Sequence, residues 1–240
     1  PDAALGTVEF DLFTKEVIRE MTTKAGQKCT AIRRILVPEP QLGPMIERLK
    51  SGLSEVITGD PRLETTGMGA LVSQSQKQDV LKKIRLLEED TECILGDPET
   101  FTVEGKELQE GAFIPPILLY CNDPDSAKYV HSVEAFGPVS TIMAYRDIDH
   151  ASTLLNNSKG SLVASVITND ADVAREVTMN SGAFHGRLYF NNRVSMEEST
   201  GHGSPLPHMI HGGPGRAGGG EEMGGIRGVM HYMQRTGIQG

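Results

Sequence analysis

The sequence predicts an α/β fold: a three-layer domain in which a mainly parallel, twisted sheet is flanked by helices. Three observations lead there. From Ser140 to Asn191, short strand-like segments alternate with helical segments about ten residues long, the signature of βαβ units. Upstream, amphipathic stretches of helical period bracket a β-branched run. The 240 residues, 38% of them hydrophobic, can bury one large core or two small ones without a disulfide or metal staple.

Phe10, Phe13, Val17 and Met21 share one face of a helix expected over 9–25. Asp11–Lys15 and Glu20–Lys24 are favourable i,i+4 pairs, and Gly26 is a terminator. Ile32 to Val37, stopped by Pro38, reads as a buried strand. Helices are expected over 42–56, broken by Thr58-Gly59-Asp60-Pro61, and over 74–89, where Val80, Ile84 and Leu87 align. Residues 92–95 read as a short strand. The run 112–121 is apolar, but Pro115-Pro116 demotes part of it to an edge strand or extended segment. Strand 140–145, helix 148–156, strand 162–168, helix 170–179 and strand 187–191 follow. The glycine-, proline- and histidine-rich stretch 199–220 reads as a long loop, functional or disordered. A closing helix then places Ile226, Val229, Met230 and Met233 on one face, with Glu221 and Glu222 in its first turn.

The 32 acidic and 23 basic residues give a net charge of -9, which argues against a nucleic-acid or anionic-membrane partner. Apolar runs are far shorter than the roughly 20 residues that span a bilayer, and no export leader is visible. Three cysteines without framework spacing suit a reducing compartment, so the cytoplasm is the expected address. Pro1-Asp2-Ala3-Ala4 is not an initiator start, which suggests a processed chain or one cut from a longer protein.

Gly213 to Gly218 formally matches G-x-G-x-x-G, but Pro205-Leu206-Pro207-His208 before it is no strand. The segment reads as a flexible surface or cleft loop rather than a phosphate cradle. His202, His208 and His211 fit no standard ligand spacing, so no metal is expected. His131, His150, His185 and His231 read as satisfied surface or core histidines. Cys29 lies between a helix and a strand, flanked by Lys24, Lys28, Arg33 and Arg34, and nearby cations favour a thiolate. By itself that leaves two readings open, a nucleophile or a small buried hydrophobe. Cys93 and Cys121 read as inert packing.

Gly26-Gln27-Lys28-Cys29, followed 105 residues after the cysteine by Glu134-Ala135-Phe136-Gly137-Pro138-Val139, resembles the NAD(P)-dependent aldehyde dehydrogenase superfamily. Gly59-Asp60-Pro61, Thr66-Gly67-Met68-Gly69 and Gly160 to Val166 are similar to that family too. The run His211 to Glu222 resembles the branch that oxidises CoA-thioester semialdehydes in bacterial benzoate and phenylacetate breakdown. The resemblance covers the whole chain and implies the catalytic domain of such an enzyme over residues 1–240.

By that resemblance Cys29 is the nucleophile, forming a hemithioacetal and then a thioester, with its backbone N–H as half of an oxyanion hole. Glu134 would hold the nicotinamide-ribose hydroxyls, Phe136 would pack on the nicotinamide end, and Gln76 would also reach the NADP or NAD cofactor. A CoA-linked aldehyde as substrate and a homo-oligomeric full-length protein are implied as well. In the family the cofactor domain, an asparagine oxyanion donor and a glutamate base precede the nucleophile. Only 28 residues precede Cys29, and none of Glu9, Asp11, Glu16 and Glu20 sits in the base motif. The 240 residues alone are therefore expected to show little or no turnover. The family's C-terminal oligomerisation strand is not found before Gly240, and Gln234 replaces a glutamate common in relatives. Two other readings remain: a thiol hydrolase in which His211 activates Cys29, and a non-catalytic binding or assembly domain.

Overall fold

The computed structural model describes residues 4–105, 110–203, 209–218, 222, 223, 226, 229, 230, 232, 233 and 236–239. Helix α1 (Val8–Thr22) begins at Thr7, whose hydroxyl accepts the Phe10 N–H at 3.3 Å. Strand β1 (Arg34–Pro38) leads into α2 (Leu42–Ser54), which buries Met45, Leu49 and Leu53 at helical spacing. Helix α3 (Gln74–Leu87), capped by Ser73, turns Val80, Ile84 and Leu87 inward. Then come β2 (Glu92–Leu95), β3 (Ile117–Cys121) and β4 (Val139–Tyr145). Helix α4 (Ile148–Asn156), β5 (Ser161–Ile167), α5 (Ala171–Ser181) and β6 (His185–Asn191) complete the βαβ alternation, with Asp147 and Asp170 capping the two helices. Two short strands, β7 (Ile210–His211) and β8 (Glu222–Met223), pair antiparallel. The closing helix falls mostly outside the described residues, as do His208, His231 and Gln234.

The main sheet runs β1-β4-β3-β2, parallel except for β2. Because successive strand residues face opposite ways, Ile117, Leu119, Val139 and Met143 pack against α3 and Leu154 of α4 on one face. Ile35, Val37, Leu118 and Ile142 meet α1 and α2 on the other. Helices thus cover both faces.

Two features sharpen these expectations. The proline-bearing part, 112–116, forms no strand, while β3 itself is central, between β4 and β2, with Ile117, Leu118 and Leu119 fully buried. The prolines stop just short of it, and the first strand residue, Ile117, donates its N–H to Pro138 O at 2.8 Å, so no ladder bond is lost. The sheet is also not continuous. β5 and β6 form a separate parallel pair, and among the described residues β1 and β5 each have one unpaired edge. Both line a single cavity of about 430 Å³, with Phe13 and Val17 of α1 also on its wall.

Candidate active site

The chain does not run straight from α1 into β1. Over Thr23–Gly26 the backbone tightens, and Lys24 (φ 54°), Ala25 (φ 51°) and Gly26 (φ 66°) are all left-handed. Such a conformation costs a non-glycine residue about 1–2 kcal/mol. Gly26 is required on a second count, since a Cβ there would overlap the Gly137 carbonyl. The helix expected to reach residue 25 therefore ends three residues earlier, and the chain backs onto the Glu134–Val139 segment. Lys28 to Ala31 then close a β-turn, Ala31 N–H to Lys28 O at 3.1 Å, with Cys29 and Thr30 at its centre. Cys29 is exposed and in no disulfide, whereas Thr30 is buried.

Three of the four cations that flank Cys29 in sequence are engaged with other groups. Lys28 Nζ lies 2.5 Å from the buried carboxylate of Glu20. Arg34 donates to the Leu154 and Leu155 carbonyls at 2.6 and 2.9 Å and contacts His131 Nδ1 at 2.9 Å. Burial, with Arg216 nearby, pulls the Arg34 guanidinium down to about 10.

Arg33, visible in the sequence only as a flanking cation, has a structural role that sequence reading missed. Its guanidinium donates to Gly137 O at 2.7 Å and Gly26 O at 2.8 Å, and more weakly to Lys28 O and Glu134 Oε1 at 3.3 Å each. It also lies 5.3 Å from the centre of the Phe136 ring, within cation–π range. One side chain thus ties the cysteine turn to the Glu134–Gly137 loop. The paired arginines after the cysteine were a visible signal, but their partners lie about a hundred residues away.

Cys29, Glu134 and Phe136 line the same cavity. Glu134 is 46% exposed at the side chain, and Phe136 is half-buried. Gln76 is not on the cavity wall; it sits in the first turn of α3, where its N–H is capped by Ser73. Its approach is tied to the cysteine turn, because Val72 N–H donates to Gln27 Oε1 at 2.9 Å.

His202 is buried rather than on a loose loop. Its Nε2 meets Thr30 O at 2.5 Å and its Nδ1 meets the Ser165 hydroxyl. With both nitrogens so occupied, the ring is unsuited to a metal or to a base role at Cys29. No group of three or more metal-binding side chains occurs among the described residues, and the His211 side chain lies outside them. The G-x-G-x-x-G segment is not a free loop either. A Cβ on Gly213 would lie 2.6 Å from Ser161 O, one on Gly215 would overlap Lys159 O, and Arg216 N–H donates to Lys159 O at 2.9 Å. Its glycines permit close packing against the start of β5. Cys93 is exposed on β2 rather than packed, while Cys121 is buried and its thiol is pushed up to about 11 by burial.

Fold and site together define a class: α/β domains that present a cysteine thiol, a carboxylate and an aromatic ring at the mouth of one cavity. The aldehyde dehydrogenase family model matches residues 4–238. The chain belongs to the aldehyde dehydrogenase family. It is 51% identical over 174 residues to the protein MaoC of Klebsiella aerogenes, covering 72% of this chain and 50% of that one. It is 39% identical over 214 residues to 3,4-dehydroadipyl-CoA semialdehyde dehydrogenase of Aromatoleum evansii, covering 89% and 42%. The fold matches betaine aldehyde dehydrogenase of Staphylococcus aureus, solved in complex with NAD+, with a TM-score of 0.79 at 23% identity over 93% of this chain and 41% of that one. The chain spans half or less of the length of these relatives.

Proposed function

We propose that residues 1–240 form the catalytic domain of an NAD(P)-dependent aldehyde dehydrogenase with Cys29 as its nucleophile. In the complete protein, a cytoplasmic homo-oligomer, the substrate is a CoA-linked semialdehyde. One observation carries the reading: an exposed cysteine at the centre of a braced turn shares a cavity with Glu134 and Phe136. The relative from Aromatoleum evansii supports the substrate class.

The Cys29 thiolate attacks the aldehyde carbon; a C–S bond forms and the carbonyl oxygen takes the electron pair. Glu134 and Phe136 fit the ribose and nicotinamide end of NAD or NADP, because an exposed two-oxygen acceptor suits a diol and a neighbouring ring face limits a planar group. When bound, the nicotinamide supplies the acceptor for the hydride leaving the carbonyl carbon. The chain's own part ends at sulfur, where the acyl group is held as a thioester until water cleaves the C–S bond and the thiol returns.

Acylation needs no cofactor, so it tests the reading directly. Mixing the chain with 4-nitrophenyl acetate should release one equivalent of nitrophenolate and leave an acetyl group on Cys29, seen by peptide mass spectrometry. Cys29→Ser should abolish both. An acetyl group absent from Cys29, or a burst that survives the substitution, overturns the proposal.

A further inference from the structure

One face of the turn that carries Cys29, at Thr30, is held by a three-residue segment, Gly201-His202-Gly203. Thr30, the residue after the cysteine, gives it two bonds: its carbonyl meets His202 Nε2 at 2.5 Å, and its hydroxyl donates to Gly203 O at 3.3 Å. A carbonyl can only accept, so Nε2 carries the ring proton and Nδ1 accepts from the Ser165 hydroxyl of β5. The His202 carbonyl accepts from Arg187 of β6, and its backbone N–H is bonded to Glu16 of α1. Every hydrogen-bonding group of His202 is therefore committed, and each to a different element around the site.

Two charged side-chain ends lie close against the segment's glycines. Gly201 is left-handed (φ +82°), and a Cβ there would lie 2.5 Å from Arg19 Nη2. A Cβ on Gly203 would come to 3.2 Å from Lys28 Nζ, pressing on the Lys28–Glu20 pair that holds the other side of the turn. Burial pushes the His202 imidazole down to about 4, against the opposing pull of Glu20, so the ring stays neutral near neutral pH and its tautomer is fixed by Ser165.

We infer that His202 is a positioning residue for the nucleophile: through its Nε2–H bond to Thr30 O, with Ser165 fixing the tautomer, it sets the backbone orientation of the Cys29 turn. The inference rests on Cys29 being the nucleophile. It goes beyond that reading by assigning the turn's geometry to a histidine from the glycine-rich stretch, which lines the same cavity as Cys29 and acts on the sulfur through the Thr30 backbone.

Two reactions of the same sulfur separate positioning from mere integrity. Alkylation by iodoacetamide needs only an accessible thiolate. Acylation by 4-nitrophenyl acetate also needs the turn's backbone oriented towards the developing oxyanion. In His202→Leu, acylation at Cys29 should fall about tenfold or more while alkylation stays within about threefold, since small misplacements of a reacting group are costly. His202→Gln keeps a donor and an acceptor in similar places and should restore acylation to within about threefold of wild type. Ser165→Ala, which only frees the tautomer, should give a smaller loss, and it keeps the test available if His202→Leu does not fold. Acylation unchanged in a folded His202→Leu or in Ser165→Ala, or acylation and alkylation falling together without rescue by glutamine, overturns the inference. Absence of Cys29 acylation in the wild type would instead remove the nucleophile reading on which it rests.

Discussion

Replacing Arg33 by methionine should cost about 3 kcal/mol of stability, and the structure says where the loss arises. Two of its bonds, to Gly137 O at 2.7 Å and Gly26 O at 2.8 Å, are short and made by a charged donor. Such bonds contribute about 1.5–3 kcal/mol each. The contact to Glu134 is long, and that carboxylate is nearly half exposed, so it adds well under about 1 kcal/mol. The Phe136 ring adds about 0.5–1 kcal/mol. Methionine keeps an apolar stem in place, and the released carbonyls recover part of their hydration, which brings the net loss just below the bottom of the summed range, to about 3 kcal/mol. For a chain of this size about 3 kcal/mol corresponds to a fall in Tm of roughly 6–12 °C. Lysine should rescue little, because a point charge on one stem cannot reach two carbonyls that a planar fork spans. Urea unfolding of wild type, Arg33→Met, Arg33→Lys, Glu134→Gln and Arg33→Met/Glu134→Gln gives both the loss and the coupling. A loss below about 1 kcal/mol for Arg33→Met, or a cycle in which Glu134→Gln alone reproduces it, would refute the assignment of Arg33 as the tie between the two segments.

Gly26→Ala should destabilise by about 2–3 kcal/mol in the same assay, combining left-handed strain with a forced shift of the Gly137 carbonyl. Ile142→Ala, at a fully buried position of β4, should cost about 3–4 kcal/mol, whereas Cys29→Ser on the exposed turn should stay within about 0.5 kcal/mol of wild type. Below neutrality two buried imidazoles matter: burial holds His185 and His202 at about 4 in the folded chain against 6.5 when unfolded. The unfolded chain therefore binds the extra protons, so stability is full above pH 6.5 and falls towards pH 4, by about 1.4 kcal/mol per pH unit for each ring. His185→Gln should remove one ring's share of that slope; an unchanged slope in urea melts at several pH values would count against it. Glu9, hydrogen-bonded by Arg193, is lowered from 4.5 to about 2, so its contribution persists above pH 4.5 and fades only as pH drops towards 2. Arg193→Met should erase that acid-range component of the pH-stability curve.

Local pattern located most elements because the residues that set them are neighbours. The strand expected at 92–95 and the helix at 148–156 have those bounds, and β-branched Ile32 to Val37 yields β1 with a shift of two residues at its start. Where local pattern misled, a distant partner had decided the outcome. The periodicity of α1 runs on towards residue 25, but the Glu134–Val139 segment occupies the space behind Gly26 and the chain must turn left-handed instead. Pro115-Pro116 marks an irregular approach, yet cannot reveal that the strand beginning one residue later is central. His202 was legible only as part of a glycine-rich loop, since its partners Thr30 and Ser165 lie 172 and 37 residues away. The cavity's three residues Cys29, Glu134 and Phe136 were read from motif resemblance, whereas Arg33, which joins them, has no local mark beyond its charge.

The edges of β1 and β5 left unpaired among the described residues bear on how this chain behaves in a tube. An open strand edge is a row of backbone donors and acceptors that another extended chain can complete, and natural proteins guard such edges with outward lysines, prolines or a covering element. Here Arg33 and Arg34, the charges nearest the β1 edge, are turned towards carbonyls of their own chain. What keeps copies apart is then chiefly the net charge of -9, a repulsion that salt screens beyond about 10 Å at 0.1 M. Solubility of these 240 residues should accordingly worsen as salt is added, with copies meeting edge to edge, and light scattering across a salt series would show it.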